Sequence, residues 1–309
     1  MKIVVTGSLG YVSKPLTQKL LRNGHDVTVI SSTYSRGERI SNCGANPAIG
    51  NMEDLNFISR TFDGADAVFC MLAPYGNFSD PKNDSDRILD RAQRIAQNYS
   101  KAITNSGART VVYLSSIGAD MKSGSGLIRV HSIGEYELSQ LSHSIRIAFL
   151  RPAGYYKNLY LYADSIRNQN TIAANYGQDD RVVWVSNIDI ADAIVSELES
   201  GGPGQHVRYV ASDELRCSET AKILGNAIGN PGLTWNRIGD LEQLQALRFH
   251  GMNESIARSF VEMNASIRNG TFYADYDRNK PILGKVKMSN FSEDFAAFYA
   301  QNEQIGKDS

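Results

Sequence analysis

Residues 1–16 read MKIVVTGSLGYVSKPL, and the fold turns on this stretch. Ile3-Val4-Val5 is an apolar run without polar alternation, the pattern of a strand covered on both faces. Gly7 and Gly10 stand three apart behind it, and Leu16 and Leu20 then recur at helical spacing. A strand that runs through a glycine turn into a helix aims free N–H groups at one point, where an anion is favoured. Gly7 permits the tight turn, and Gly10 lets a diphosphate approach the backbone. Ser13 takes the place of the usual third glycine. Pro15 is near enough to the helix start that its missing N–H costs no hydrogen bond. The stretch reads as a dinucleotide-binding strand–turn–helix; the alternative is the same turn without a ligand.

Working outward, apolar runs and amphipathic stretches alternate. Strand candidates are DVTVISS (26–32), NPAIG (46–50), DAVFCMLA (66–73), TVVYLSS (110–116), IRIAFLRP (145–152) and GQHVRYVA (204–211). Between them, 14–25, 52–65, 85–108 and 129–144 carry helical patterns; Ile88, Ala92, Ile95 and Tyr99 mark one apolar stripe. The alternation predicts an α/β fold, a doubly wound parallel-sheet Rossmann domain, with ligands outside the carboxyl ends of the strands. We expect that domain over 1–155, completed by roughly 183–212. Residues 156–182 and 213–309, rich in Tyr and Phe, are expected to form a smaller, mostly helical C-terminal substrate lobe. SGSG at 123–126 is expected to be a flexible loop where substrate enters.

Composition excludes several classes. Of 309 residues, Lys plus Arg number 32 and Asp plus Glu 33, so the net charge of −1 offers nothing to nucleic acid or an anionic membrane. No run approaches the roughly 18 apolar residues of a spanning helix, and no signal peptide is evident. Cys43, Cys70 and Cys217 form neither a complete disulfide set nor a zinc motif, so no metal is expected. The expectation is a cytoplasmic protein acting on a small molecule, with a homodimer or a protein partner open.

An NAD site commonly carries Asp or Glu about 20 residues beyond the glycines. Here Ser31, Ser32 and Thr33 occupy that place, no carboxylate precedes Glu38, and Arg36 and Arg39 are near. Hydroxyls and guanidinium groups suit a 2′-phosphate, which favours NADP over NAD. The competing reading is a solvated loop.

TGSLGYV resembles the opening of atypical short-chain dehydrogenase/reductases. GNMEDLNFISRTFDGADAVFCMLAP, VVYLSSIGAD, HSIGEYELSQLSHSIRIAFLRPAGYYKNL and VSNIDIADAIVSEL, in this order, are similar to segments of the NmrA-like family within them. The resemblance implies a phosphate loop of Gly7, Ser8, Leu9, Gly10, Tyr11 and Val12. It implies Ser31, Ser32 and Arg36 at the adenosine ribose, and Asn51 and Met52 at the adenine. Ala73, Pro74 and Tyr75 would line the nicotinamide-side ribose. Ser115, Ser116 and the Pro152–Tyr155 loop, with Gly154, would border the nicotinamide.

Most short-chain reductases carry Tyr-x-x-x-Lys. Here Tyr136 is followed by Gln140 at the Lys position, so the pair is absent. Reductases of the resembled family often carry Lys four residues before Glu; Glu135 matches and His131 stands at the Lys position. His131 is the candidate acid, against a plain His131–Glu135 pair one helical turn apart. Tyr155, Tyr156, Tyr160 and Tyr162 are a candidate wall for a planar substrate, or packing between lobes. The sum is an NmrA-like oxidoreductase, NADPH-dependent, reducing a quinone or conjugated carbonyl. The alternative is a non-catalytic NAD(P) sensor acting through protein partners.

Overall fold

The computed structural model describes residues 1–305. Seven strands form one parallel sheet: β1 (Lys2–Val5), β2 (Asp26–Ser31), β3 (Asn46–Ile49), β4 (Ala67–Met71), β5 (Thr110–Leu114), β6 (Arg146–Pro152) and, after β7 (Gly154–Tyr155), β8 (Thr171–Ala174) and β9 (Arg181–Val185), the seventh, β10 (Gly204–Val210). Their spatial order is β3-β2-β1-β4-β5-β6-β10. The winding therefore reverses between β1 and β4, which opens a cleft at their carboxyl ends. There Thr6 N donates to Phe69 O at 3.1 Å and Met71 N donates to Thr6 Oγ1 at 2.9 Å, locking the two strand ends together.

Helices cover both faces. On one lie α1 (Ser13–Arg22) and α7 (Asn187–Glu199); α3 (Leu55–Phe62), α4 (Ser85–Ser106) and α5 (Arg129–Ser139) cover the other, and α2 (Gly37–Asn42) and α6 (Ala163–Gln169) complete the series to this point. β4 shows why the strands lack polar alternation. Ala67 and Phe69 enter the core on the α1 side, Val68 and Cys70 the core on the α4 side, and all four are buried. α4 is bounded by local chemistry: Asp84 caps it by accepting from Arg87 N at 2.9 Å, and Gly107 ends it in the left-handed region.

The remaining chain adds β11 (Asp213–Arg216), α8 (Cys217–Ala227), β12 (Thr234–Arg237), α9 (Asp240–Phe249), α10 (Glu254–Arg268), α11 (Ala274–Arg278) and α12 (Met288–Ile305); a third core forms among α6, β8, β9, α8, β12 and α12, while Ile256 of α10 and Tyr276 of α11 join the cores on the two faces of the main sheet. Its strands are short: β7, β9 and β11 form one sheet, β8 and β12 another. The sequence pattern does not mark β8, β9, β11 and β12, because each is four or five residues long and is recruited by aromatic packing around Trp184 and Trp235.

Candidate active site

The glycine turn lies where β1 hands over to α1. Gly7 has φ +89°, and a Cβ on it would lie 2.2 Å from Met71 Sδ and 2.9 Å from Ser13 Oγ, so this position accepts no side chain. Ser13, at the third-glycine position, is buried and donates its hydroxyl to Thr6 O at 3.0 Å. The replacement thus ties helix to strand. Asn187 of α7 holds the turn by donating to Tyr11 O at 2.9 Å. Among the described residues the N–H groups of Leu9, Tyr11 and Val12 have no protein partner, and the first turn of α1 carries no acidic side chain. Open donors, a positive helix end and a gap that only glycine leaves fit a dinucleotide diphosphate.

At the end of β2, Ser31 is buried and its hydroxyl accepts from Thr33 N at 3.2 Å, while Ser32 is exposed. Arg36 is exposed and makes no ion pair among the described residues. Gly50 N donates to Ser31 O at 3.0 Å, which brings Asn51 and Met52 beside them. Asn51 is exposed and accepts from Glu53 N; the Met52 sulfur is taken up by the Tyr99 hydroxyl at 2.8 Å.

Beyond β4, Ala73 is exposed and Pro74 buried, and the Tyr75 hydroxyl meets His131 Nε2 at 3.3 Å. Burial lowers the His131 pKa to about 4 against a smaller opposing pull from Glu135, and burial raises that of Tyr75 to about 12. Both are neutral at pH 7, and His131 Nδ1 is buried without a partner. The His131–Glu135 pair allowed by their spacing does not form. Arg151 takes Glu135 instead, Nε to Oε1 at 2.8 Å and Nη2 to Oε2 at 2.7 Å, and Ser115 Oγ donates to the same carboxylate at 2.5 Å. Arg151 continues to the Tyr209 hydroxyl at 3.0 Å and to Asp275 of α11 at 3.1 Å. Although burial opposes its charge, Glu135 and Tyr209 hold Arg151 firmly protonated. Ser116 turns its hydroxyl back to Ile117 O. Pro152 O accepts from Ile117 N at 3.0 Å; beyond Gly154, the Tyr155 ring packs on Tyr11 with centroids 6.0 Å apart.

Tyr75 also lines a cavity of about 160 Å³ with Phe78, Leu127, Ile128, Phe260 and Met263. Phe78 stands edge-on to both Tyr75 and Phe260. The SGSG segment beside it is held by α10, contrary to the flexible loop expected. Gly124 N donates to Glu262 at 2.9 Å, Ser266 Oγ donates to Gly124 O at 2.6 Å, and a Cβ on Gly126 would lie 2.0 Å from Ser259 O. Phe260 and Met263 were missed from sequence; their helix periodicity marks an apolar face but not what it covers. Tyr156, Tyr160 and Tyr162 pack into the third core against Phe291, Phe295 and Trp235, which is the packing alternative. Asp189 is likewise structural: buried, it accepts from Ser212 Oγ, Lys285 N and Val286 N.

A diphosphate-ready turn at the reversal of a seven-stranded parallel sheet defines an NAD(P)-binding Rossmann protein. The model of an NAD(P)H-binding family matches residues 7–143 of the chain. The chain is 24% identical over 266 residues to an NAD(P)H azoreductase of Xenophilus azovorans, covering 85% of this chain and 86% of the relative. Its fold is similar to that of an NADPH-dependent quinone oxidoreductase of Escherichia coli crystallised with NADPH (TM-score 0.78, 17% identity, 95% of this chain and 99% of that one). It is similar as well to a Citrobacter triphenylmethane reductase complexed with NADP(H) (TM-score 0.74, 19% identity, 95% and 99%). Among the described residues no helix is long and apolar enough to cross a membrane, and no cluster of His, Cys, Asp and Glu could hold a metal ion.

Proposed function

We propose that this protein is an NADPH-dependent reductase of a small organic acceptor, a quinone or another conjugated carbonyl. The observation that carries this reading is the apolar cavity that shares Tyr75 with His131. The names of the relatives point the same way. The free N–H groups of the Gly7–Val12 turn would hold the diphosphate. Arg36, with Ser31 and Ser32, would meet the 2′-phosphate, and Asn51 and Met52 the adenine. Ala73, Pro74, Tyr75, Ser115, Ser116, Pro152, Gly154 and Tyr155 would border the ribose and nicotinamide. Residues 156–182 and 213–305 would form the substrate lobe, contributing Phe260 and Met263 to the cavity, and 306–309 lie outside the described residues. When bound, NADPH supplies a hydride.

The chain's own part is placement and proton handling. Phe78, Phe260 and Met263 keep water from the cavity and present a flat apolar surface to a ring. Tyr75 aims a neutral hydroxyl at the acceptor oxygen, where it donates a hydrogen bond as negative charge develops. His131, the expected acid, works here through Tyr75: neutral at pH 7, its Nε2 fixes the hydroxyl. Glu135 is committed to Arg151 and Ser115.

The test is NADPH oxidation with a panel of quinones and dicarbonyls, beside a calorimetric binding titration. Turnover that prefers NADPH to NADH supports the reading. Binding without turnover across the panel establishes the sensor instead, which the absent Tyr-x-x-x-Lys pair favours.

A further inference from the structure

α10 ties down both walls of the cavity that Tyr75 shares with Phe78 and Phe260. On one side Asn253 N, at the head of the helix, donates to Phe78 O at 2.8 Å, and Ser255 Oγ accepts from Ser85 N at 2.9 Å. On the other, Gly124 N donates to Glu262 and Ser266 Oγ donates to Gly124 O. Gly126 lies so close that a Cβ there would be 2.0 Å from Ser259 O. The loop that carries Phe78 and the segment that carries Leu127 and Ile128 are thus held by one helix. The width between them is left to the side chains that α10 places in the gap, Phe260 and Met263.

Volume and chemistry bound the occupant. The cavity measures about 160 Å³, and a dry apolar cavity of about 150 Å³ takes up one benzene ring. Rings close it rather than flexible chains: Phe78 stands edge-on to Tyr75 at 6.1 Å and to Phe260 at 5.9 Å. Among the described residues none that lines it is charged, and only Tyr75 and Ser259 carry a polar side chain. The Ser259 hydroxyl is spent, donating to Ser255 O at 3.0 Å and meeting Ser85 Oγ at 3.1 Å. That leaves the Tyr75 hydroxyl for an occupant. One hydroxyl serves one carbonyl oxygen, and an ionised group would lie against apolar carbon without a counter-charge.

We propose that the acceptor is a single uncharged ring, a benzoquinone or a cyclic conjugated carbonyl of that size, and that Phe260 and Met263 set this limit. Fused-ring and ionised acceptors are turned away. The inference rests on the reductase reading above and narrows its substrate class.

The test pairs binding with turnover. Phenol, naphthol and phenolsulfonate each carry one hydroxyl and differ in ring count and charge. Calorimetric titration of the native protein should show phenol bound about tenfold more tightly than either of the others. Burial alone would favour naphthol, the more apolar of the three, so this order reports the walls. Phe260→Ala and Met263→Ala should each tighten naphthol about tenfold and still exclude phenolsulfonate. In NADPH oxidation, kcat/KM for naphthoquinone relative to benzoquinone should rise by a similar factor in the same variants. These results support the proposal. Native protein that binds naphthol or phenolsulfonate as tightly as phenol overturns it and leaves the reductase reading standing. Two variants that melt like the native protein and keep its preference for phenol do the same; should one fail to fold, the other and the native order decide. The preference for phenol without turnover of either quinone overturns the reductase reading and supports the one-ring limit.

Discussion

Burying His131 as a neutral imidazole has a measurable consequence for acid stability. Its pKa lies at about 4 in the folded protein against 6.5 for the ordinary side chain. The sign follows from linkage: the unfolded chain takes up the proton first as pH falls, so the folded state loses stability from pH 6.5 downward and the loss levels off below 4. The gap between about 4 and 6.5, at ~1.4 kcal/mol per unit, sets a ceiling of roughly 3 kcal/mol, of which about 2 kcal/mol has accrued at pH 5. Urea unfolding of the native protein and His131→Gln at pH 7.5 and pH 5.0 isolates it, because the other titrating groups are common to both. The difference between the two free energies should shift by about 2 kcal/mol in favour of the variant at pH 5.0. A difference that is the same at both pH values would refute the buried neutral imidazole, and Tyr75 would lose its orienting partner. By the same reasoning, the rate profile of the native enzyme should show no inflection near 6.5.

Other substitutions test the remaining parts of the site. Gly7→Ala drives a methyl into Met71 and Ser13 at positive φ; it should cost about 2–4 kcal/mol in urea unfolding and abolish NADPH binding by titration. Arg36→Ala should raise the Kd for NADPH about tenfold and leave that for NADH unchanged, since only the 2′-phosphate distinguishes them; equal effects on both would remove Arg36 from that role. Glu135→Ala leaves Arg151 buried beside an emptied partner position and should destabilise the fold by about 3 kcal/mol, less the share that Asp275 recovers. A loss under 1 kcal/mol in denaturant unfolding would show that the network is not held as described.

The strand–turn–helix at residues 2–22 and the alternation that follows were legible because their signals are local. Apolar runs, helical spacing and turn glycines depend on neighbours within a few residues, and backbone geometry acts at that range. Asp84 and Gly107 bound α4 for the same reason. The pairing around the acid candidate was not legible. Spacing alone sets His131 beside Glu135, yet Arg151 arrives from β6 with two parallel N–H donors and wins the carboxylate, because a guanidinium fork matches it better than an imidazole. Burial then decided that His131 is neutral. Phe260 and Met263 reach Tyr75 across more than 180 residues of chain, and the short strands β8 and β12 exist only where Trp235 brings them together. The amino-acid order by itself determined the elements and the phosphate turn, whose causes lie within one turn or one strand. Which side chains share a charge, a proton or a cavity was decided by the tertiary structure, because desolvation and ion pairing depend on groups that only packing brings into contact.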